Sequence, residues 1–269
     1  ASCLVGSEMC IRDSIKNLYQ KFESIQKMGW VKSYRKGDTG IGKTFEELLG
    51  KTEENFEYPD FEGIEIKTKR YYSQTYTCLF SATPDGTYLF ETKRLVENYG
   101  YPDKVLTDKK RLNDAVFATE KTNVGYDYLF QLKVNRRDRR LYLYIYDVFG
   151  RLLDTKTYWE FSTLQEKLYR KLQLLAIVTA KRQIQNNWEY FKYEKIEFYR
   201  LMNFNRFIFL IEKGIIRVNF KIGVFRSGPR KGEIHDHGTG FEIKKQDLEK
   251  LYCKIPECEY KEDKNQLIK

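Results

Sequence analysis

Between Gly37 and Lys67 the chain carries two signatures that demand different surroundings. Gly37-Asp38-Thr39-Gly40-Ile41-Gly42-Lys43-Thr44 fits the nucleotide-binding P-loop pattern at every position. A P-loop needs a buried strand that delivers a glycine turn to a helix N-terminus, where backbone N–H groups cradle phosphate. The preceding Lys32-Ser33-Tyr34-Arg35-Lys36 is too charged for a central strand. Gly50 then ends the following helix after about six residues. A nominal partner, Leu141-Tyr142-Leu143-Tyr144-Ile145-Tyr146-Asp147, looks like any buried strand entering a turn. The alternative is that the glycines form a tight turn and Thr44 caps a short helix.

The second signature is Glu46 on that helix, followed by Pro59-Asp60-Phe61-Glu62-Gly63-Ile64-Glu65-Ile66-Lys67. Phe61 to Thr68 reads as a strand, with Ile64 and Ile66 on one face and Glu65 and Lys67 on the other. Two residues along a strand span about 6.6–6.8 Å, so Glu65 and Lys67 stand side by side. Pro59 marks the strand entry, and Asp60 lies where its carboxylate can approach Glu65. Two carboxylates that close repel unless a cation joins them. Mg²⁺ suits the pair, with the Ile66 carbonyl as a further oxygen. Lys67 then orients or deprotonates an attacking water, and Glu46 reaches Lys67 or holds a second metal. The competing view is a solvated strand face.

Gly40 to Gly50, then Pro59-Asp60-Phe61 and Gly63 to Arg70, resemble the MvaI/BcnI group of restriction endonucleases. That group belongs to the PD-(D/E)XK superfamily and is related to the mismatch-repair nicking enzyme MutH. The resemblance implies Asp60 and Glu65 as metal ligands, Lys67 as the catalytic lysine and Glu46 as an accessory carboxylate. The segment Phe225-Arg226-Ser227-Gly228 to His235-Asp236-His237-Gly238-Thr239 resembles the same group, in which this loop belongs to the DNA-reading region. The short spacing from Asp60 to Glu65 is closer to the restriction enzymes than to MutH.

Arg226, Arg230, Lys231, His235 and His237 fall in a glycine-rich loop between two predicted strands, and the histidines, flanking Asp236, are the chain's only two. Arginine and lysine can bond the O6 and N7 acceptors of guanine in the major groove. Base recognition, metal binding by His-x-His and an ordinary polar loop all remain open for this pair; no zinc-spaced ligand set accompanies it. Lys69, Arg70, Arg136, Arg137, Arg139 and Arg140 read as phosphate contacts or solvated charges, which position DNA without specifying sequence.

A formal charge of +10 permits a polyanionic partner. No apolar run approaches the roughly 20 residues of a membrane span. The five cysteines, Cys3, Cys10, Cys78, Cys253 and Cys258, form neither a disulfide framework nor a zinc pattern, which favours cytoplasmic thiols. Leu4 to Asp13 matches a conceptual translation of a transposase-type sequencing adapter, so residues 1–14 are set apart as an artefact and the natural chain is expected to enter near Ile15.

Ile15 to Met28 reads as an amphipathic helix, and Thr75 to Ser81 and Gly86 to Lys93 as strands around a turn at Thr83-Pro84-Asp85-Gly86. Tyr126 to Val134, Leu141 to Val148 and Leu152 to Trp159 form a meander. Ser162 and Gln165 open a helix whose buried stripe is Leu164, Leu168, Leu172, Leu175 and Ala176. Arg206 to Glu212 and Ile215 to Phe225 pair as a hairpin over Lys213-Gly214. Phe241 to Ile243 is a short strand, Gln246 to Tyr252 a terminal helix, and the tail from Lys254 is disordered.

These elements predict an α/β or α+β fold, and the resemblance implies a PD-(D/E)XK core with a mixed central sheet flanked by helices over residues 15–125, plus a DNA-recognition lobe over 126–269. The expected function is a Mg²⁺-dependent type II endonuclease cutting double-stranded DNA. The resemblance implies a monomer that nicks one strand at a time at a short G·C-rich site of the CC/GG type, beside a methyltransferase of the same specificity. A MutH-like repair nickase, a DNA-binding module with a vestigial site and a P-loop NTPase are the alternatives.

Overall fold

The computed structural model describes residues 2–50, 58–73, 75–85 and 88–261. Two compact units interleave along the chain. One takes Ala1–Gln74, Tyr169–Met202 and Tyr252–Lys269; the other takes Thr75–Leu168 and Asn203–Leu251. They are not the consecutive stretches 15–125 and 126–269. The reason is a parallel strand pair, which cannot be closed by a hairpin and needs a long crossover.

In the first unit, helix α1 (Ser2–Lys27) leads to strand β1 (Val31–Lys32), helix α2 (Gly40–Leu48) and strand β2 (Ile64–Arg70). β2 runs parallel to strand Leu174–Gln185, with Glu65 beside Leu175 and Lys67 beside Ile177. That partner is half of a long hairpin with Trp188–Leu201, turning through Asn186 and Asn187 at φ 51° and 58°. Two successive positive φ values make a type I′ turn, whose twist matches that of the strands. β1 and Tyr252–Lys254 both pair with Trp188–Leu201, so the sheet is mixed, as expected.

Of the apolar positions expected on α1, Ile15, Leu18, Phe22 and Ile25 are buried and Tyr19 partly so, although the helix begins at Ser2. With Ile41 and Phe45 of α2 they pack against Ile64 and Ile66 of β2 and against Ala176, Val178 and Tyr193 of the hairpin. Each such side chain contributes about 1.5–3 kcal/mol. Ile255 and Tyr260 join this core, so order extends beyond Lys254, where a disordered tail was expected. Residues 262–269 of that tail lie outside the described residues.

The second unit holds strand β3 (Tyr76–Ser81) in a sheet with Gly240–Lys244, Ile216–Asn219 and Ala115–Val116. The meander forms a separate sheet; its third strand is split into Leu152–Asp154 and Tyr158–Glu160, both pairing with Arg140–Asp147. Where a strand from Gly86 was expected there is helix α3 (Tyr88–Tyr99), burying Leu95 and Val96; Gly86 and Thr87 lie outside the described residues. Helix α4 (Phe161–Leu172) buries Leu164, Leu168 and Leu172. Leu175 and Ala176 belong instead to the strand that follows it. Ser162 is not the cap: Asp85 takes the Glu160 N–H at 2.6 Å and the Thr163 hydroxyl at 2.8 Å.

Helix α5 (Phe204–Glu212) replaces the strand expected at Arg206–Glu212. Asn203 caps it by accepting the Arg206 N–H at 2.8 Å. Lys213-Gly214 is thus the end of a helix rather than a hairpin turn, with Gly214 at φ 67° as its left-handed C-terminal residue. The strand expected over Ile215–Phe225 is two, Ile216–Asn219 and Ile222–Val224, and the expected terminal helix is a 3₁₀ segment, Lys245–Lys250. Among the described residues no helix is long and apolar enough to cross a membrane.

Candidate active site

Phe61 and Ile64 exchange backbone hydrogen bonds at 2.9 and 2.7 Å, with Glu62 and Gly63 at φ 43° and 85°. This tight turn means that β2 starts at Ile64, not at Phe61. It also folds Asp60 back over the strand, where Asp60 Oδ2 accepts the Ile66 N–H at 3.0 Å. Ile66 itself is buried in the core.

Glu65 is 1 % exposed. Lys67 Nζ donates to its Oε1 at 2.5 Å, while Oε2 has no hydrogen-bond partner among the described residues. Lys171, in the last turn of α4, brings its Nζ to 3.5 Å from that Oε2. Burial raises the Glu65 carboxyl above the usual range; Lys67 opposes the rise, Asp60 adds to it and Lys171 opposes it. The two carboxylates are therefore held together against their repulsion, and Glu65 keeps one acceptor oxygen unsatisfied. This donor set of hard oxygens fits a divalent cation.

Glu46 rides on α2, its Oε1 3.9 Å from where a Cβ on Gly42 would stand. That Cβ would lie 3.3 Å from Thr68 Oγ1, so Gly42 lets α2 approach β2 closely and brings Glu46 near Thr68. Burial raises the Tyr193 phenol, the Thr44 hydroxyl opposes that rise and the Glu46 charge adds to it. Lys69 is buried on β2, and Arg70 bonds Asp38 at 2.9 Å.

The P-loop pattern has no P-loop around it. β1 is two residues long at the edge of its sheet. A Cβ on Gly40 would stand 2.5 Å from the Arg35 carbonyl, so the chain itself fills that concavity. Thr44 is no cap: it lies inside α2, fully buried, accepting the Tyr34 N–H at 3.0 Å. Lys43 pairs with Glu47 at 2.7 Å, one helical turn on.

In the second unit, strands Ile222–Val224 and Ile234–Asp236 form a hairpin around the predicted DNA-reading residues. His235 stacks on Phe225 at 4.1 Å and 8°, and His237 lies 3.9 Å from His235. Arg230 covers Phe225 at 4.3 Å and pairs with Glu233, while Arg226 bonds Asp103 at 3.2 Å. Asp236 accepts the Gly238 N–H at 2.7 Å, and Lys231 is exposed in the turn. Burial, with His237 and Arg230 nearby, lowers the His235 pKa against the pull of Asp236. Its ring is thus neutral at pH 7, able to donate and accept. Among the described residues no group of three His, Cys, Asp or Glu side chains is placed to hold a metal, so His-x-His finds no third ligand.

Two features escaped sequence reasoning. Lys171 left no signal, because its approach to Glu65 depends on the parallel pairing of β2. The other is a buried carboxylate, Glu242, that gathers Arg217 at 2.9 Å, Lys221 at 2.6 Å and Asn219 at 3.1 Å. The alternation Arg217-Val218-Asn219-Phe220-Lys221 could have revealed that polar face.

The profile of the MvaI/BcnI restriction endonuclease family matches residues 19–252, spanning Asp60, Glu65, Lys67 and the histidine hairpin. A solved structure of MvaI in complex with its cognate DNA substrate is similar at 33% identity and a TM-score of 0.83, covering 90% of this chain and 97% of that one. MvaI in the absence of DNA gives 28% identity and a TM-score of 0.58, over 88% and 96%. No curated protein sequence matches the chain. Restriction endonucleases of this kind generally use a divalent metal. The chain belongs to the MvaI/BcnI restriction endonuclease family and is a type II site-specific deoxyribonuclease.

Proposed function

We propose that this endonuclease hydrolyses double-stranded DNA with Asp60 and Glu65 as the ligands of Mg²⁺ and Lys67 as its catalytic lysine. The observation that carries the reading is the Asp60–Ile66 hydrogen bond, which fixes a second carboxylate beside buried Glu65 and its unsatisfied Oε2. The Ile66 carbonyl is a further candidate oxygen. When bound, the ion supplies a Lewis acid that polarises the scissile phosphate and lowers the pKa of water.

Lys67, aimed by its bond to Glu65, orients the attacking water and offsets charge building on phosphorus. The water oxygen bonds to phosphorus as the bond from phosphorus to the leaving sugar oxygen breaks. Glu46 serves as an accessory carboxylate. Lys69 and Arg70 contact phosphates.

In the second unit Arg226, Arg230, Lys231, His235, Asp236 and His237 read a short G·C-rich site, the arginines addressing guanine acceptors and neutral His235 offering a donor and an acceptor. The first unit is then the catalytic one and the second the recognition one. The enzyme acts in the cytoplasm as a monomer, nicking one strand at a time, beside a methyltransferase acting on the same site.

The test is digestion of unmodified plasmid by the purified protein with Mg²⁺, with the ends mapped. Defined fragments, produced alone and without ATP, exclude a partner-dependent MutH-like nickase and a P-loop ATPase. Absence of cutting with any divalent metal overturns the assignment.

A further inference from the structure

Beyond Lys67 the catalytic strand runs into an aromatic recess. Trp30, Arg70, Tyr71, Tyr72, Lys181 and Arg182 line a cavity of about 570 Å³ within the first unit. Its aromatic side chains are unusually bare: Trp30 is 41% exposed, Tyr71 49% and Tyr72 83%. Tyr71 and Tyr72 meet edge to face at 5.0 Å, and Lys181 Nζ stands 5.5 Å from the Tyr71 ring. The recess is firmly mounted, because the Tyr71 N–H donates to the Ala180 carbonyl at 2.9 Å. Clustered exposed rings on a soluble protein mark a contact surface.

The cations of the recess have acidic neighbours. Arg70 pairs with Asp38 and lies 3.7 Å from Glu189; Arg182 also bonds Glu189; Lys181 pairs with Glu194 at 2.9 Å. Three carboxylates thus offset the three cations, so net charge alone does not choose the ligand of this recess, and Arg70 remains able to reach a neighbouring phosphate. What remains on offer is the π-faces, with cations at their rim and a buried Arg70 Nε donor that has no hydrogen-bond partner among the described residues. Flat rings next to guanidinium and ammonium groups are how proteins hold unstacked nucleobases.

Position points to the same occupant. Side chains alternate along β2, so Glu65, Lys67 and Lys69 share one face of the sheet, and Tyr71 and Tyr72 form the turn directly after its last residue, Arg70. From Lys67 to Tyr71 is about 13 Å, a span of a few nucleotides. We propose that this recess is a subsite for an unstacked nucleotide of the cleaved strand, held by stacking on Tyr71 and Tyr72 near the scissile phosphate. The proposal rests on the nuclease reading of Glu65 and Lys67.

The experiment compares hexathymidylate with an abasic chain of the same length and charge, both fluorescein-labelled and titrated at one salt concentration without divalent metal. The full-length wild-type protein, the Tyr71→Ala/Tyr72→Ala variant and Tyr72→Phe are measured. Wild type and Tyr72→Phe are expected to prefer the base-bearing chain about tenfold, and the double alanine variant to bind both chains equally. Equal binding by wild type, or an undiminished preference in the double alanine variant, overturns the subsite. Plasmid digestion by the same wild-type preparation keeps the two ideas apart. Cutting without base preference removes the subsite alone, whereas absence of cutting removes the nuclease reading.

Discussion

Asp60 Oδ2 accepts the backbone N–H of Ile66 at 3.0 Å, so the strand that presents Glu65 and Lys67 also holds the second carboxylate. Asp60→Asn keeps an oxygen to accept that N–H while removing the charge that pushes Glu65 up. The fold should survive, with an unchanged or slightly higher Tm. Metal-dependent cutting should fall by more than the ~10–100-fold typical of losing a group behind the metal ligands. Titrating cleavage against Mg²⁺ checks this, and a variant with wild-type metal dependence would refute the role of Asp60.

The two lysines around Glu65 should separate in magnitude. Lys67 donates at 2.5 Å, and Lys67→Ala should lower the single-turnover cleavage rate by about 10²–10³-fold with duplex binding intact. Unchanged cleavage sinks its catalytic role. Lys171 sits farther away, at 3.5 Å from Oε2, so Lys171→Ala should fall between wild type and Lys67→Ala. Both substitutions remove an influence that lowers the Glu65 pKa, so the acid limb of the pH–rate profile, where Glu65 must lose its proton, should move to higher pH.

The reach of the sequence followed the range of the interactions. The strand carrying Glu65 and Lys67 on one face, with Asp60 just before it, was legible apart from its exact start because alternation and a five-residue spacing are local, and so was the α1 stripe. α5 was misread because Phe204, Phe207, Ile208 and Ile211 are β-prone types, although their spacing is helical and Asn203 stands at the cap. α3 failed for a similar reason, with Tyr88, Phe90 and Thr92 masking the burial of Leu95 and Val96. The domain boundary was illegible because β2 pairs with Leu174–Gln185, a partner that no local pattern announces. That pairing also hid Lys171.

Arg226 offers a test of readout, since its partner Asp103 leaves the rest of the guanidinium fork for DNA. Arg226→Ala should cost about 1–3 kcal/mol of discrimination between the cognate site and a one-base variant. Non-specific affinity should fall far less. A uniform loss across sequences would make Arg226 a phosphate contact instead.

Asp103 itself predicts a pH dependence. The Val105 N–H at 2.9 Å does most to hold its carboxyl down at about 2, against the penalty of burial; the Leu106 N–H and Arg226 assist. An acid depressed from its ordinary 3.8 binds fewer protons in the folded state than in the unfolded one. Its stabilisation is therefore complete above about 3.8 and is lost as the pH falls towards 2. Asp103→Asn should lower Tm by a few degrees at pH 7 and converge on wild type across that acid window. It should also loosen Arg226 and weaken cognate discrimination at pH 7, where Tm and sequence preference are measured on the same variant. A Tm difference that persists unchanged to pH 2 would show that packing rather than charge makes Asp103 matter.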